Sequence, residues 1–259
     1  MYCDDPSRVS TITRLYCQVY SICCDSQTKQ LICATDTALE FFDYDTFKKV
    51  SMYRPHSDWR PKICIQPYTR NMIVSDYYTN GKIHVIDLES REKLFFIEKE
   101  NISGVCCDKK GNILIADTCN NRVQVLNEYG RYMTEFGIGK HKYIDDVHVH
   151  DSMKQVLVAE YITNQVSIWN YDLCNQSFCI ASIPTNDTCK SVYTNPLNQH
   201  AIIIATLHGI CIYDNRKYQL IQKINFSEHY IYDICVNEIN GDLLMADYNH
   251  IKQFSMLNL

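Results

Sequence analysis

The sequence predicts an all-β chain, and three observations carry that prediction. Its 259 residues include 19 Tyr and 9 Phe against 8 Gly and 6 Pro, and aromatic residues suit the pleated, half-buried surface of a strand. Residues 111–136, GNILIADTCNNRVQVLNEYGRYMTEF, set three short strands between tight turns with no helix-period stretch among them. The same pattern then recurs: an apolar run ending in a short polar residue, a polar loop, and an alternating strand, at intervals of about forty residues.

Six copies are counted from their anchors: Asp36 in LICATD, Asp76 in NMIVSD, Asp117 in NILIAD, Glu160 in QVLVAE, Thr206 in AIIIAT and Asp247 in DLLMAD, spaced 40, 41, 43, 46 and 41 residues apart. A short apolar strand precedes each anchor (SICCD, KICIQ, GVCCD, DVHVH, SVYTN, DICVN), and another follows (EFFDY, IHVID, VQVLN, VSIWN, ICIYD, IKQFS). In the third copy Gly111-Asn112 marks the turn before Ile113–Ala116, and Arg131–Phe136 (RYMTEF) supplies a fourth strand. A forty-residue unit of four short strands cannot bury both faces of its own sheet. Neighbouring units must therefore pack face to face, and a ring of six leaves no exposed end. The expected fold is a six-bladed β-propeller of four-stranded antiparallel blades. It is read as one domain over residues 1–259, with blades at about 19–58, 59–101, 102–143, 144–188, 189–230 and 231–259. The last copy ends after its third strand, while Arg8–Leu15 (RVSTITRL) alternates and belongs to no copy. That amino-terminal segment is expected to be the outermost strand of the last blade, closing the ring.

With the strands in place, GNILIADTCNNRVQVLNEYGRYMTEFG resembles an NHL repeat, which has a turn, an apolar strand ending in Ala-Asp, a Thr-Gly-Asn-x-Arg loop, a Val-x-Val strand and a final Phe-Gly. The other copies keep the strands and lose much of the loop. Cys119 stands where that family usually has Gly, which would strain the loop if the position needs a positive φ. The resemblance implies a binding scaffold. NHL-like propellers serve as protein- or RNA-binding ends of ubiquitin-ligase proteins, and related six-bladed rings carry hydrolases or lyases. No RING, B-box or coiled coil is read in the sequence, so ligase activity would come from a partner.

Composition narrows the classes. The amino terminus, MYCDDPSRVS, has neither a basic start nor an apolar core, and no run of eighteen apolar residues occurs. A cytoplasmic protein with no membrane contact is expected. Of 14 Cys, eight (Cys23, Cys24, Cys33, Cys64, Cys106, Cys107, Cys211 and Cys235) lie in expected strands, as buried thiols do in a reducing compartment. No disulfide-linked partner is expected. No C-x-x-C pair or zinc-type Cys/His spacing occurs, and neither a metal nor a cofactor is expected. The sequons at Asn101, Asn175, Asn186 and Asn225 read as chance.

In a propeller the loops between second and third strands share one end with the connections between blades, and loops on a rigid scaffold carry function. The anchors stand at the start of those loops, where a short carboxylate caps the turn by accepting backbone N–H groups. Loops YYTNGK, TCNNR and YITNQ in copies 2, 3 and 4 are longer than TAL, LHG and YNH in copies 1, 5 and 6. Tyr77, Tyr161 and Tyr248 follow anchors on alternate copies, joined by Tyr78 and by Tyr20 and Tyr232 at strand starts; such rings either finish the core or anchor a partner. Charge is uneven: residues 1–143 hold 19 Lys and Arg against 18 Asp and Glu, and residues 144–259 hold 6 against 12. Two connections mix basic and aromatic residues, MYRPHSDWRPK (Tyr53, Arg54, His56, Trp59, Arg60, Lys62) and GKHKY (Lys140, His141, Lys142, Tyr143), with Lys82 and Arg122 nearby.

The candidate partner-binding set is therefore Tyr77, Tyr78, Tyr161, Tyr248, Tyr232, Trp59, Arg54, Arg60, Lys62, Arg122 and Lys142, with a protein as the expected partner. RNA is the alternative ligand, and a pI near 6.0 weighs against it, because phosphate binding needs a clear positive field. A metal-dependent hydrolase or lyase is the second alternative. Asp145, Asp146, Glu160 and Asp233 would supply oxygen ligands for a weak Ca²⁺ site, opposed by Lys190. No Gly-rich phosphate loop, nucleophile elbow or HExxH occurs, so the reading leans away from an enzyme.

Overall fold

In a computed structural model, described over residues 9–54, 60–76, 82–99, 101–173, 177–195, 197, 201–226 and 230–255, the chain is almost entirely strand and turn. The strand before each anchor, the anchored strand and the two after it form one antiparallel sheet, and six such sheets follow one another along the chain. The first holds β2 (Val19–Asp25), β3 (Gln30–Thr35), β4 (Leu39–Asp43) and β5 (Lys49–Tyr53); the second holds β6 (Pro61–Ile65), β7 (Asn71–Asp76), β8 (Lys82–Asp87) and β9 (Lys93–Glu98). The third runs β10 (Ile102–Cys107), β11 (Ile113–Asp117), β12 (Arg122–Leu126), β13 (Tyr132–Phe136), and the fourth β14 (Ile144–His150), β15 (Gln155–Glu160), β16 (Gln165–Asn170), β17 (Cys179–Pro184). The fifth comprises β18 (Cys189–Thr194), β19 (Ala201–Thr206), β20 (Gly209–Asp214) and β21 (Leu220–Asn225).

The sixth sheet takes β22 (Ile231–Val236), β23 (Leu243–Asp247) and β24 (His250–Phe254) from the end of the chain and β1 (Val9–Arg14) from its beginning. Val9 pairs with Phe254 and Arg14 with His250, with a bulge between Thr11 and Thr13. Leu15 extends the contact, its N–H donating to the Asn249 carbonyl at 2.7 Å and its side chain buried beside Ile251 and Ala246. The fold class is thus the expected one: all-β, six four-stranded antiparallel blades of the propeller type, the amino-terminal strand completing the last.

Burial follows strand position. The second strands, β11, β15, β19 and β23, are buried along their whole length, which is why their sequences are continuous apolar runs rather than alternations. Fourth strands such as β5 and β9 are mostly exposed and carry Lys and Glu, which discourage edge pairing with other chains.

The chain forms two compact units, residues 1–58 with 193–259, and residues 59–192, the boundary falling within β18. In the second unit Ile73, Ile83 and Val85 pack against Ile102, Val105, Ile113, Ile115 and Leu126, joining second and third blades. Leu114, Val123, Val125 and Phe136 meet Val147, Val156, Val158 and Trp169, joining third and fourth. In the first unit Ile203, Ile210 and Ile212 pack on Ile234, Leu243 and Met245, and Leu31, Cys33 and Phe42 on Cys235, Leu244 and Ile251. Each fully buried aliphatic side chain contributes roughly 1.5–3 kcal/mol of transfer free energy, so the blade-to-blade layers, not the individual sheets, hold the fold together.

Carboxylates lock these layers at one repeated position. Asp146 Oδ2 accepts from Ser191 Oγ at 2.8 Å and from the Val192 N–H at 3.2 Å. Asp233 Oδ2 accepts from Ser21 Oγ at 2.5 Å and from the Ile22 N–H at 3.0 Å. At the same place in the third blade stands Gly104, where an added Cβ would lie 2.7 Å from Asp146 Cα; glycine there admits the backbone of the next blade.

Register corrects one anchor. Asp76 pairs with Pro61, Asp117 with Ile102, Glu160 with Ile144 and Asp247 with Ile231, and the partner of Val19 in the first blade is Thr35, not Asp36. Thr35 is fully buried at the strand end, and Asp36 belongs to the turn. Two adjacent short polar residues gave the sequence pattern no means of choosing between them.

Candidate functional site

Among the described residues the hairpins between second and third strands come in two lengths. Thr206 pairs with Gly209 and Asp247 with His250, leaving two-residue turns, and the Thr35 N–H donating to the Ala38 carbonyl makes the same turn in the first blade. Asp117 pairs with Arg122 and Glu160 with Gln165 around four-residue loops. Positive φ falls on Asn121 and Asn164, each at 50°, a conformation Asn tolerates. Cys119 therefore occupies the family's Gly position without meeting that demand.

The two longer loops share one wiring scheme, and it differs from the expected capping by backbone N–H groups. Asp117 accepts from Asn120 Nδ2 (2.8 Å), Arg122 Nε (2.7 Å) and Gln124 Nε2 (3.0 Å), three, five and seven residues on. Glu160 accepts from Thr163 Oγ1 (2.8 Å), Gln165 Nε2 (3.2 Å) and Ser167 Oγ (2.9 Å) at the same offsets. The strands repeat every two residues and the loops are equal in length, so equivalent side chains return to the same carboxylate. Thr35 and Thr206 cap their turns through Oγ1, which donates to the Ala38 and Gly209 carbonyls.

The additional methylene of Glu160 lets its Oε1 reach His141 Nδ1 at 3.0 Å. His141, read above as part of a basic loop, is instead 2% exposed, its ring 5.1 Å from that of Trp169. It also lies on Gly137, whose added Cβ would come within 2.1 Å of Nε2. Burial alone would raise the Glu160 carboxyl; hydrogen bonds from His141, Thr163 and Ser167 outweigh it and hold the group below its ordinary value. Ser167 Oγ is 3.5 Å from His141 Nδ1, the same nitrogen that faces Glu160. This group is a buried clamp on the connection between third and fourth blades, not a nucleophile poised against a base.

Arg122, a candidate for partner contact, spends its guanidinium within its own blade: Nε on Asp117 and Nη1 on Glu135, both at 2.7 Å. The Asp117 bond and the two carboxylates raise its pKa further against the opposing effect of burial. The four acids considered for Ca²⁺ are likewise engaged. Asp145 holds Lys190 Nζ at 2.8 Å, Asp146 and Asp233 lock blades together, and Glu160 clamps His141. Among the described residues no three His, Cys, Asp or Glu side chains group as metal ligands.

Among the described residues, the loop ends of the second unit present two aromatic rings outward. The Tyr161 N–H donates to the Tyr143 carbonyl at 2.9 Å, and the two rings lie 5.5 Å apart. Tyr143 is 36% and Tyr161 38% exposed. Lys190 Nζ sits 4.5 Å from the centre of the Tyr161 ring while paired to Asp145, and Asn121 Oδ1 accepts from the Tyr143 N–H at 3.0 Å. The exposed Ile162 adjoins them in sequence. Arg54, Arg60 and Lys142 are exposed, and Lys62 is half-buried.

In the first unit Tyr20 and Tyr232 meet edge to face at 5.9 Å, with Tyr20 Oη donating to Gln18 Oε1. Tyr248 is 56% exposed on its two-residue turn, its carbonyl accepting from the Val19 N–H. Tyr77, Tyr78, Trp59 and His56 lie outside the described residues. Tyr143 was read above only within a basic connection; its ring contact with Tyr161 depends on a turn geometry that no local pattern reveals.

A chain of six four-stranded antiparallel blades, with polar wiring inside the loops and rings outside them, belongs to the propeller class of repeat proteins, a general scaffold for binding protein or RNA. Within it, residues 101–126 match the NHL repeat family model, covering β10, β11, the Asp117 loop and β12. Comparison of the chain with curated proteins returns no match. No helix among the described residues is long and apolar enough to cross a membrane.

Proposed function

We propose that this chain is a non-catalytic recognition module that binds a protein partner through the loop ends of its blades. The observation that carries the reading is the Tyr143–Tyr161 pair: two rings more than one third exposed, yet fixed by Lys190, Asp145 and Asn121. Rings immobilised before binding cost little ordering entropy when a partner covers them. Tyr77, Tyr78, Tyr232, Tyr248 and Trp59 extend the anchor set in this proposal, and Arg54, Arg60, Lys62 and Lys142 steer the partner's approach. Arg122 acts by shaping its loop. In a ubiquitin-ligase system the module would recruit substrate for a transferring subunit supplied in trans. A reducing, cytoplasmic setting suits its twelve described cysteines, none of them disulfide-bonded.

Protein is favoured over RNA because two of the basic groups at these loops are already neutralised: Lys190 by Asp145, Arg122 by Asp117 and Glu135. The net charge of -5 leaves little positive field for phosphates. The test is a tagged pull-down with and without nuclease, comparing wild type with a Tyr143→Ala/Tyr161→Ala variant whose melting is checked in parallel. A partner that resists nuclease and binds the variant at least about tenfold more weakly, as loss of aromatic hot spots implies, supports the reading. Undiminished binding by the folded variant refutes it. Partner capture that nuclease abolishes transfers the function to RNA.

A further inference from the structure

Two pairs of thiols face each other across neighbouring blades, at the same register in both places. Cys24 Sγ in β2 lies 3.1 Å from Cys235 Sγ in β22, and Cys64 Sγ in β6 lies 3.4 Å from Cys107 Sγ in β10. The register is defined by strand pairing. Cys24 opposite Leu31 and Cys107 opposite Ile113 each stand one residue before the turn that ends a first strand. Cys235 opposite Leu244 and Cys64 opposite Ile73 each stand two before it. Both pairs therefore join one blade to the next by the same geometry. A disulfide needs its sulfurs about 2.05 Å apart, so closure asks each pair to move by roughly 1 Å, within reach of side-chain rotation.

We propose that Cys24–Cys235 and Cys64–Cys107 are oxidisable pairs that form disulfides between blades when a hydroperoxide is the oxidant. Cys24 is half-buried and Cys235 buried, which orders the steps. The Cys24 sulfur attacks the peroxide O–O bond, forming a sulfenic acid and releasing water or an alcohol. The Cys235 sulfur then attacks the Cys24 sulfur, forming the S–S bond and expelling the sulfenic oxygen as water. Two thiols lose two electrons and two protons, and the peroxide is reduced by two electrons. Burial, then the hydrogen bond with Cys24, hold the Cys235 thiol protonated, which suits a resolving role close to its target rather than first attack on a soluble oxidant. The Cys24–Cys235 link spans 211 residues and the Cys64–Cys107 link 43. The longer one restrains the unfolded chain more, and it ties β22, from the end of the chain, to β2 near its beginning.

The test treats the full chain with hydrogen peroxide, removes the oxidant, blocks free thiols under denaturing conditions, and maps linked peptides by mass spectrometry without reduction. Expected are Cys24–Cys235 and Cys64–Cys107 peptides, with a melting temperature raised by on the order of several degrees and restored by dithiothreitol. Cys235→Ala should lose the first link and most of the rise while keeping the second link. Cys24→Ser, at the more exposed position, should do the same. Oxidation confined to the exposed Cys119 and Cys179, linkage of Cys24 to Cys17 or Cys33, or Cys24 sulfinic acid with no link to Cys235 would each overturn the proposal.

Discussion

Replacing Asp233 with alanine tests how much of this fold depends on single polar contacts between blades. The carboxylate is 6% exposed, and its Oδ2 takes the Ser21 hydroxyl, itself 1% exposed, together with the Ile22 N–H. A hydrogen bond to a charged acceptor contributes about 1.5–3 kcal/mol. Removing the acceptor also strands a buried hydroxyl, while the two bonds share one oxygen and do not add fully. The expected cost is about 3 kcal/mol. At about 2–4 °C per kcal/mol for a chain of this length, that lowers the melting temperature by roughly 6–12 °C. Urea unfolding followed by far-ultraviolet circular dichroism measures it. Ser21→Ala alone should cost about half as much, and the double variant should show a coupling of about 1–2 kcal/mol. A loss below about 0.5 kcal/mol for Asp233→Ala, or no coupling to Ser21, refutes the reasoning.

Two further outcomes follow from the same contacts. Deleting residues 1–16 removes β1 and Leu15 and uncovers Ile251 and Ala246; with buried Leu15 and partly buried Ile12 leaving the core, the loss is about 2–5 kcal/mol, and an unchanged thermal melt would show that β1 does not hold the last blade. Glu160 titrates below its ordinary value in the fold, so its contribution is complete above the unfolded value near 4.5 and is lost as pH falls through the folded one. Glu160→Gln should therefore unfold with a flatter dependence on pH as it falls below about 4.5, and equal acid slopes in urea titrations of the two proteins would contradict the clamp.

Much of this architecture was legible because a strand advertises itself locally. LICATD, NILIAD and QVLVAE are apolar on both faces, as strands covered on both sides must be, and their forty-residue spacing fixes the number of blades. RVSTITRL could be assigned to the last blade because it alternates and the last copy lacked a strand. Contacts depending on the third dimension were less accessible. Asp36 and Thr35 are both short and polar, and only pairing with Val19 identifies the buried one. His141 looks like a member of a basic loop until Trp169 and Gly137 enclose it and Glu160 meets it. Arg122 reads as a surface cation, yet two carboxylates hold it. Asp233 and Ser21 are separated by 212 residues; the available hint was that Ser or Asp recurs at the third position of several first strands.

Because β1 pairs with β24, the first strand of the propeller is also among the last to find its partner. Arg14 leaves the ribosome 236 residues before His250, its neighbour in the sheet. At 5–20 residues per second that is a delay of roughly 10–50 s. The intervening blades can fold in sequence as they emerge, but Val9–Arg14 must wait as an unpaired strand with its backbone donors and acceptors open. Val9 and Ile12 are its two apolar residues among Ser, Thr and Arg, which keeps the segment largely hydrophilic during that interval, so the residues that finish the fold are also those a chaperone has longest to guard.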